Sequence, residues 1–356
     1  PTVGLRAVLV LDTVSLCPTI AVVRMGVAVT TEECISLAWA MTLKYAAAGL
    51  PLGGCKAVLY GDPKMPQHDK EQLIRALANA LRYTEDYIFA PDMGTDEECM
   101  SWVQDEIGRV VALPREIGGI PLDEIGATGW GLSHVADVAR EYCDLELNNA
   151  RFVVQGFGAV GMHTARFLTD MGAVLVGAAD SRGAIHNPDG LDVVRLCEIK
   201  AAGGALGEYV DATPLERDAV IDIECDIWIP AARPDVIHEK NAQRLKTKLV
   251  IEGANIPITP GAEALLAERG ILCVPDFIAN AGGVICAAME YHGASEGTVL
   301  QAIKEKLRRN TRQVLEEATR RNISPREASV DLALARVKKA MSYRRYSLFS
   351  TAPGFV

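Results

Sequence analysis

Short apolar runs and longer amphipathic stretches alternate along this chain of 356 residues. Residues 5–11 (Leu-Arg-Ala-Val-Leu-Val-Leu) read as a strand. Thr30 and Glu33 have the spacing of a capping box. They open a helix to about Ala48, with Ile35, Leu37, Ala38, Met41 and Tyr45 near helical spacing. Glycines and a proline over 49–54 break it, and 55–60 reads as a strand. The pattern then predicts an amphipathic helix over 69–86 and a strand over 87–90 stopped by Pro91. A helix capped by Thr95 follows, to about Val111. Gly118, Gly119, Pro121 and Gly126 mark a connector, and a helix over 128–141 leads into the second half. There, strands at 152–154, 173–179, 226–229, 248–252 and 271–274 interleave with helices at 159–168, 190–202 and 260–269. Such βαβ alternation predicts a parallel, doubly wound sheet. Helices over 296–320 and 325–342 close the chain.

One turn in that second half carries chemistry. Gly156, Gly158 and Gly161 spell GxGxxG between a strand and a helix, with Phe157, Ala159 and Val160 filling the turn. The first glycine permits the tight turn, the second lets a pyrophosphate approach the backbone, and the third lets helix and strand pack closely. The helix N-terminus offers unpaired N–H groups and a partial positive charge. The next apolar run ends in Asp180, where a ribose-binding carboxylate is expected. A bare GxGxxG is a weak signal, but strand, motif, helix, strand and acid in order predict a dinucleotide site. Asp180 favours NAD, because it would repel a 2′-phosphate. Ser181 and Arg182 follow, and an arginine there can accept that phosphate, so NADP stays open.

Composition narrows the setting. At 49% hydrophobic and 23% charged the chain reads as a soluble globular protein, and its length suggests two domains. A net charge of −10 with no basic block argues against nucleic acid or an anionic membrane as partner. No apolar run reaches about 18 residues, so no membrane span is expected. No signal peptide is visible, although the chain opens on Pro1. Nine cysteines (17, 34, 55, 99, 143, 197, 225, 273 and 286) form no CxxC, which fits reduced thiols in a cytoplasmic protein. The six histidines are equally scattered, and no metal site is expected.

A dinucleotide implies hydride transfer, but other residues must fix the substrate. Lys44 lies on an otherwise apolar helix, and Lys56 follows Gly53-Gly54 at the start of an apolar strand. Burial would push a lysine pKa down toward working pH and make a general base. Alternatively, both side chains snorkel at a solvated edge. Asp92, between Pro91 and a helix start, is either a cap or a proton carrier. Cys55 beside Lys56 suits a small core residue better than a nucleophile.

Longer motifs change the balance among these. Met41-Thr42-Leu43-Lys44, Pro51-Leu52-Gly53-Gly54-Cys55-Lys56, Ala90-Pro91-Asp92-Met93-Gly94-Thr95 and Ala127-Thr128-Gly129-Trp130-Gly131 occur in order. They are followed by the glycine turn, by Glu252-Gly253-Ala254-Asn255, and by 275–284 (Pro-Asp-Phe-Ile-Ala-Asn-Ala-Gly-Gly-Val). Together they resemble the glutamate/leucine/phenylalanine/valine dehydrogenase family, in register from about residue 5 to 340. The resemblance implies oxidative deamination of an L-amino acid to a 2-oxo acid and ammonia, with reduction of NAD(P)+, and the reverse amination. It implies that Lys44 holds the substrate carboxylate, that Lys56 activates water and that Asp92 shuttles protons. Thr128 and Asn255 match cofactor contacts near the nicotinamide. Asn280 matches a residue beside both the nicotinamide ribose and the substrate. Met41 and Val284 fall in the matched motifs that border the substrate.

The same resemblance bears on which amino acid is used. The glutamate enzymes use a lysine before a Gly-Gly-x-Arg turn, and a serine after Asn-Ala-Gly-Gly-Val, to bind the side-chain carboxylate. The matching positions here are Ile20 and Ala287, both apolar. A glutamate side chain would leave a carboxylate unpaired there, so an apolar substrate is expected, unless Arg24 turns inward. Ala21-Val22 and Cys55 replace family glycines and could narrow the pocket. The expected fold is α/β with two domains. A substrate-binding α/β domain covers 1–127 plus 322–356, and a Rossmann-type doubly wound dinucleotide-binding domain covers 128–321. A homo-oligomer is expected, with the N-terminal strand as an edge for pairing. Two rivals remain: a glutamate dehydrogenase with a rearranged pocket, and a nucleotide-binding regulatory protein that lost the chemistry.

Overall fold

A computed structural model describes residues 3–16 and 18–343, in two α/β units. Residues 1–2, Cys17 and residues 344–356 lie outside the described residues. Of the described residues, unit one comprises 3–122 (without Cys17), 284–299 and 330–343, and unit two comprises Asp123–Gly283 and Leu300–Ser329.

Unit one opens with β1 (Ala7–Leu11), β2 (Thr19–Gly26), α1 (Thr31–Ala47), β3 (Cys55–Tyr60), α2 (Gln67–Ala80), β4 (Tyr87–Pro91) and α3 (Glu97–Ile107). The sheet runs β1-β3-β2-β4, with β1 antiparallel to β3 and the other pairs parallel. Strand alternation sorts its side chains between two faces. Ala21, Val23, Cys55, Ala57, Leu59, Tyr87 and Phe89 enter one core with α2 and α3 residues such as Ile74, Met100 and Val103. Lys56 and Val58 alternate with these onto the other face, where Val58 packs on Cys34 of α1. Gly54 lets β3 begin against that helix. A Cβ there would sit 2.0 Å from Thr42 Oγ1 and 2.3 Å from the Ala38 carbonyl.

Several element ends and caps differ from expectation, each for an identifiable reason. Thr30 does accept the Glu33 N–H, but the Glu33 carboxylate pairs with Arg24. Helix α2 stops at Ala80, not 86, because the Arg109 guanidinium takes the carbonyls of Leu81, Arg82 and Thr84. Asp96, not Thr95, caps α3, accepting the Cys99 N–H at 2.9 Å. The helix ends at Ile107 on the left-handed Gly108. Segment Val284–Val299, which the sequence division places with the nucleotide domain, packs with unit one. Glu290 accepts the Leu113 N–H at 3.1 Å, and Glu296 pairs with Arg115 at 2.5 Å.

Unit two carries α4 (Ala127–Ala139), β5 (Arg151–Gln155), α5 (Ala159–Asp170), β6 (Val174–Asp180), β7 (Gly183–His186), α6 (Val193–Ala201), β8 (Thr213–Leu215) and β9 (Ile227–Pro230). It continues with β10 (Leu249–Ile251), α7 (Pro260–Glu268), β11 (Leu272–Val274) and α8 (Asp276–Ala279). Helices α9 (Gly282–Tyr291), α10 (Glu296–Arg321) and α11 (Pro325–Tyr343) complete the described chain. The seven strands run β11-β10-β9-β5-β6-β7-β8. Pairing is parallel from β11 to β6, and β7 and β8 are antiparallel. The wholly parallel sheet expected from the pattern is therefore mixed at one edge. Only Ser181 and Arg182 separate β6 from β7, far too few residues for a parallel crossover.

Behind β10 and β11, Arg326 holds Glu252, Glu263 and Asp276. Glu252 is fully buried, and desolvation pushes its carboxyl up to about 8 against the pull of Arg326. Between about pH 4.5 and 8 the unfolded chain has lost a proton that the folded chain keeps. This part of the stability is therefore complete below that window and declines as pH rises through it, by at most about 1.4 kcal/mol per unit. Thermal unfolding between pH 5 and 8 should show a shallower slope for Glu252→Gln than for the parent; equal slopes would refute this role for Glu252.

Candidate active site

Lys56 is the second residue of β3, on the face that carries α1, and its side chain is only 3% exposed. Its amine donates to Asp92 Oδ2 at 2.5 Å. The same oxygen accepts from Arg24 Nε at 2.9 Å, and another Arg24 nitrogen pairs with Glu33. The register explains the meeting. Strand β2 lies between β3 and β4, with Val22 opposite both Lys56 and Ala90. Arg24 is two residues on, so it returns to the face of Val22. Asp92 is presented by a turn just past β4. Thr95 Oγ1 accepts the Asp92 N–H at 2.9 Å and donates to the Val23 carbonyl at 2.8 Å.

Burial is the largest influence on Lys56 and pushes its pKa down. Asp92 pulls the other way, Arg24 adds to the depression, and the net shift is downward. For Asp92, burial works upward but is outweighed by Lys56 and Arg24, and the carboxyl ends below its usual range. The arrangement is a depressed amine in direct contact with a firmly ionised carboxylate, able to pass a proton between them. The capping alternative for Asp92 gives way to Asp96, and the snorkelling alternative for Lys56 to burial.

Unit one also holds Lys44 and Met41, both half-buried on α1. Ile20 is 1% exposed on β2, and its carbonyl accepts from Tyr45, the neighbour of Lys44, at 2.7 Å. Val284 is half-buried and Ala287 buried on α9. Cys55 and Ala21 point into the α2/α3 core, away from the Lys56 face, so of the expected narrowing residues only Val22 shares that face. Burial pushes the Cys55 thiol far up, which fits a core residue. Sequence reasoning placed Arg24 only as a possible substrate contact. The overlooked signal was its two-residue spacing from Val22 on one strand face.

In unit two the glycine turn has the form a dinucleotide needs. Gly156 has φ +101°, and the N–H groups of Gly156 and Phe157 both donate to the Ala179 carbonyl at 2.8 Å. A Cβ at Gly161 would lie 2.1 Å from the Gly156 carbonyl oxygen, so helix and turn are in close contact. Around Gly158 the space where a Cβ would sit is open to at least 4 Å, and no side chain caps α5 there. Ala159 and Val160 begin that helix. The residues present thus fit a bound pyrophosphate. Asp180 is only 6% exposed, pairs with Lys200 at 2.7 Å and accepts the Arg182 N–H at 2.8 Å. Ser181 and Arg182 are exposed, and the Arg182 guanidinium donates to the Gly203 and Gly204 carbonyls. Asn280 donates to Asn255 Oδ1 at 2.9 Å, and Thr128 is half-buried in the first turn of α4. Among the described residues no group of three or more histidine, cysteine or acidic side chains could hold a metal, and no helix is long and apolar enough to cross a membrane.

Removing Arg24 removes a repelling charge from Lys56. In Arg24→Gln the Lys56 amine should titrate at higher pH than in the parent, read by NMR of the lysine side chain. A midpoint that stays put or falls would remove Arg24 from the set that tunes Lys56.

Comparison with known proteins agrees with this architecture. The model of the Glutamate/Leucine/Phenylalanine/Valine dehydrogenase family matches residues 118–345, and that of the Glu/Leu/Phe/Val dehydrogenase dimerisation domain matches 4–109. The chain is 34% identical to a glutamate dehydrogenase of Aeropyrum pernix over 347 residues, covering 90% of this chain and 82% of that one. It is 34% identical to an NAD-specific glutamate dehydrogenase of Staphylococcus aureus over 349 residues, covering 93% and 84%. The crystal structure of a hetero-hexameric glutamate dehydrogenase from Thermus thermophilus, in a leucine-bound form, superposes with a TM-score of 0.85 at 29% identity, covering 96% of this chain and 85% of that one. The chain belongs to the glutamate/leucine/phenylalanine/valine dehydrogenase family and is an NAD(P)-dependent amino acid dehydrogenase.

Proposed function

We propose that the chain oxidatively deaminates an apolar L-amino acid of the leucine, valine or phenylalanine type, with NAD+ as acceptor, and runs the reverse amination. The observation that carries the apolar part is Ile20. Strand alternation puts it on the Val22 side of β2, the face that holds Lys56, and it is buried. A side-chain carboxylate there would meet a hydrocarbon where glutamate enzymes offer an amine, at a cost of several kcal/mol. Arg24, the alternative partner, is committed to Asp92 and Glu33.

In this reading Lys44 binds the α-carboxylate, with Met41, Val284 and Ala287 bordering the side chain. Gly156, Phe157, Gly158, Ala159, Val160 and Gly161 hold the pyrophosphate, Asp180 the ribose, and Thr128, Asn255 and Asn280 the nicotinamide end. NAD+, when bound, would supply the hydride acceptor for the oxidation at the substrate Cα. Lys56, with its depressed pKa, takes a proton from the water that attacks the resulting imino carbon. Asp92 carries protons to the departing nitrogen as the C–N bond breaks, leaving a 2-oxo acid and ammonia. NAD is favoured over NADP because Asp180 stays ionised, with a pKa below its usual range. Desolvation works upward there and is outweighed by Lys200 and backbone donors. The Nη2 of Arg182 meanwhile donates to two backbone carbonyls. Subunit pairing through the β1 edge is supported by the apolar Ile35 and Trp39 exposed on neighbouring α1. A glutamate dehydrogenase with a rearranged pocket is the second reading, favoured by the names of the relatives.

Initial rates of NADH and NADPH formation across glutamate, leucine, valine, phenylalanine and alanine separate the two. Turnover of an aliphatic or aromatic substrate with NAD+ is expected; turnover of glutamate alone would sink the apolar reading. In Lys56→Ala, turnover should fall by about 10²–10⁴-fold while NAD+ still binds, and a fall within about threefold would mean that Lys56 is not the base. Ile20→Lys with Ala287→Ser should raise the glutamate-to-leucine activity ratio, and an unchanged ratio would refute the pocket assignment.

A further inference from the structure

Asn255 and Asn280 stand on different loops, one after β10 and one after α8, yet they are joined by a hydrogen bond of 2.9 Å. Asn280 also donates to the carbonyls of Gly253 and Ala254 at 3.3 Å. That contact survives only if both loops keep their relative register. The guanidinium of Arg326, the second residue of α11, spans them. Its Nη2 donates to both oxygens of Glu252 at 2.8 and 3.0 Å, and its Nη1 to Asp276 Oδ1 at 3.3 Å. Its Nε donates to Glu263 at 2.5 Å. Glu252 lies three residues before Asn255, and Asp276 four before Asn280.

The two acids are also cross-linked through backbone. The Asp276 N–H donates to Glu252 Oε2 at 3.1 Å, and the Ile256 N–H donates to Asp276 Oδ2 at 2.9 Å. Each loop therefore gives a carboxylate to the guanidinium and an N–H to the other loop's carboxylate. Three buried or nearly buried acidic side chains on one cation are a poor way to gain stability, because desolvation offsets most of the attraction. They are a good way to fix geometry, because a planar fork with five donors admits few arrangements. The loops so fixed leave the carboxyl ends of β10 and β11, where ligands bind in open α/β sheets.

The geometry points to Arg326 as a positioning residue for the cofactor: through Glu252 and Asp276 it holds Asn255 and Asn280 in the arrangement that receives the nicotinamide end. This rests on the reading that the two asparagines contact the cofactor. Arg326→Lys keeps the charge but cannot hold three acidic side chains at once in the planar fork. The test is fluorescence titration of the full-length variants with NAD+ and, separately, with ADP, which reaches the glycine turn and Asp180 but lacks the nicotinamide end. In Arg326→Lys the Kd for NAD+ should rise about tenfold, while the Kd for ADP stays within about twofold, a split that general loosening of the fold would not give. If circular dichroism shows that Arg326→Lys does not fold, Glu252→Gln is judged by the same criterion. A Kd within about twofold of the parent in the folded variant, when Asn255→Ala weakens NAD+ binding about tenfold, overturns the role of Arg326. If Asn255→Ala itself leaves the Kd unchanged, the assignment of the asparagines falls and takes this inference with it.

Discussion

An amine that is 3% exposed needs a partner, and much of unit one is arranged around supplying one to Lys56. Desolvating an ion costs several kcal/mol, and only close, well-oriented countercharges return it. Asp92 is that countercharge, and the turn after β4 exists in a form that delivers it, with Thr95 pinning its backbone. Asp92 is shared with Arg24, which in turn is anchored by Glu33 in the first turn of α1. One charged chain thus links β3, β4, β2 and the start of α1. Its two cations and two carboxylates balance, while one of the cations, Lys56, is left with a depressed pKa.

The fold was largely legible because period-2 and period-3.6 patterns survive in the sequence. Strands β3 and β6 and helices α1, α5, α10 and α11 match their expected spans within a few residues. Two of the misses share a cause: a side chain from another element overrode a local signal. Arg109 ended α2 early, and Arg24 drew Glu33 away from the capping box. Of the site, Lys56 and Asp92 were readable from motif and apolar context. Their direct contact was not, because it depends on β2 lying between β3 and β4 in the four-stranded sheet. Lys200 beside Asp180 is likewise a product of how α6 returns, and nothing in its sequence neighbourhood marks it.

The two units handle buried charge differently. In the Lys56 cluster of unit one the cations are as numerous as the carboxylates and the lysine is left with a depressed pKa. In unit two a single arginine faces three acids, and the excess is absorbed by proton uptake on Glu252. One arrangement suits a group that must exchange protons, the other a group that must stay put.

The mixed edge of the larger sheet has a consequence for the life of the protein in a crowded solution. An open sheet edge is a template onto which any extended stranger can add. Here the last strand, β8, is three residues long, and its middle residue is Pro214, which has no N–H to donate. The outermost rung is thereby blunted, so a chain that must leave the carboxyl ends of its strands accessible to nucleotide closes off the flank where it would otherwise seed aggregation.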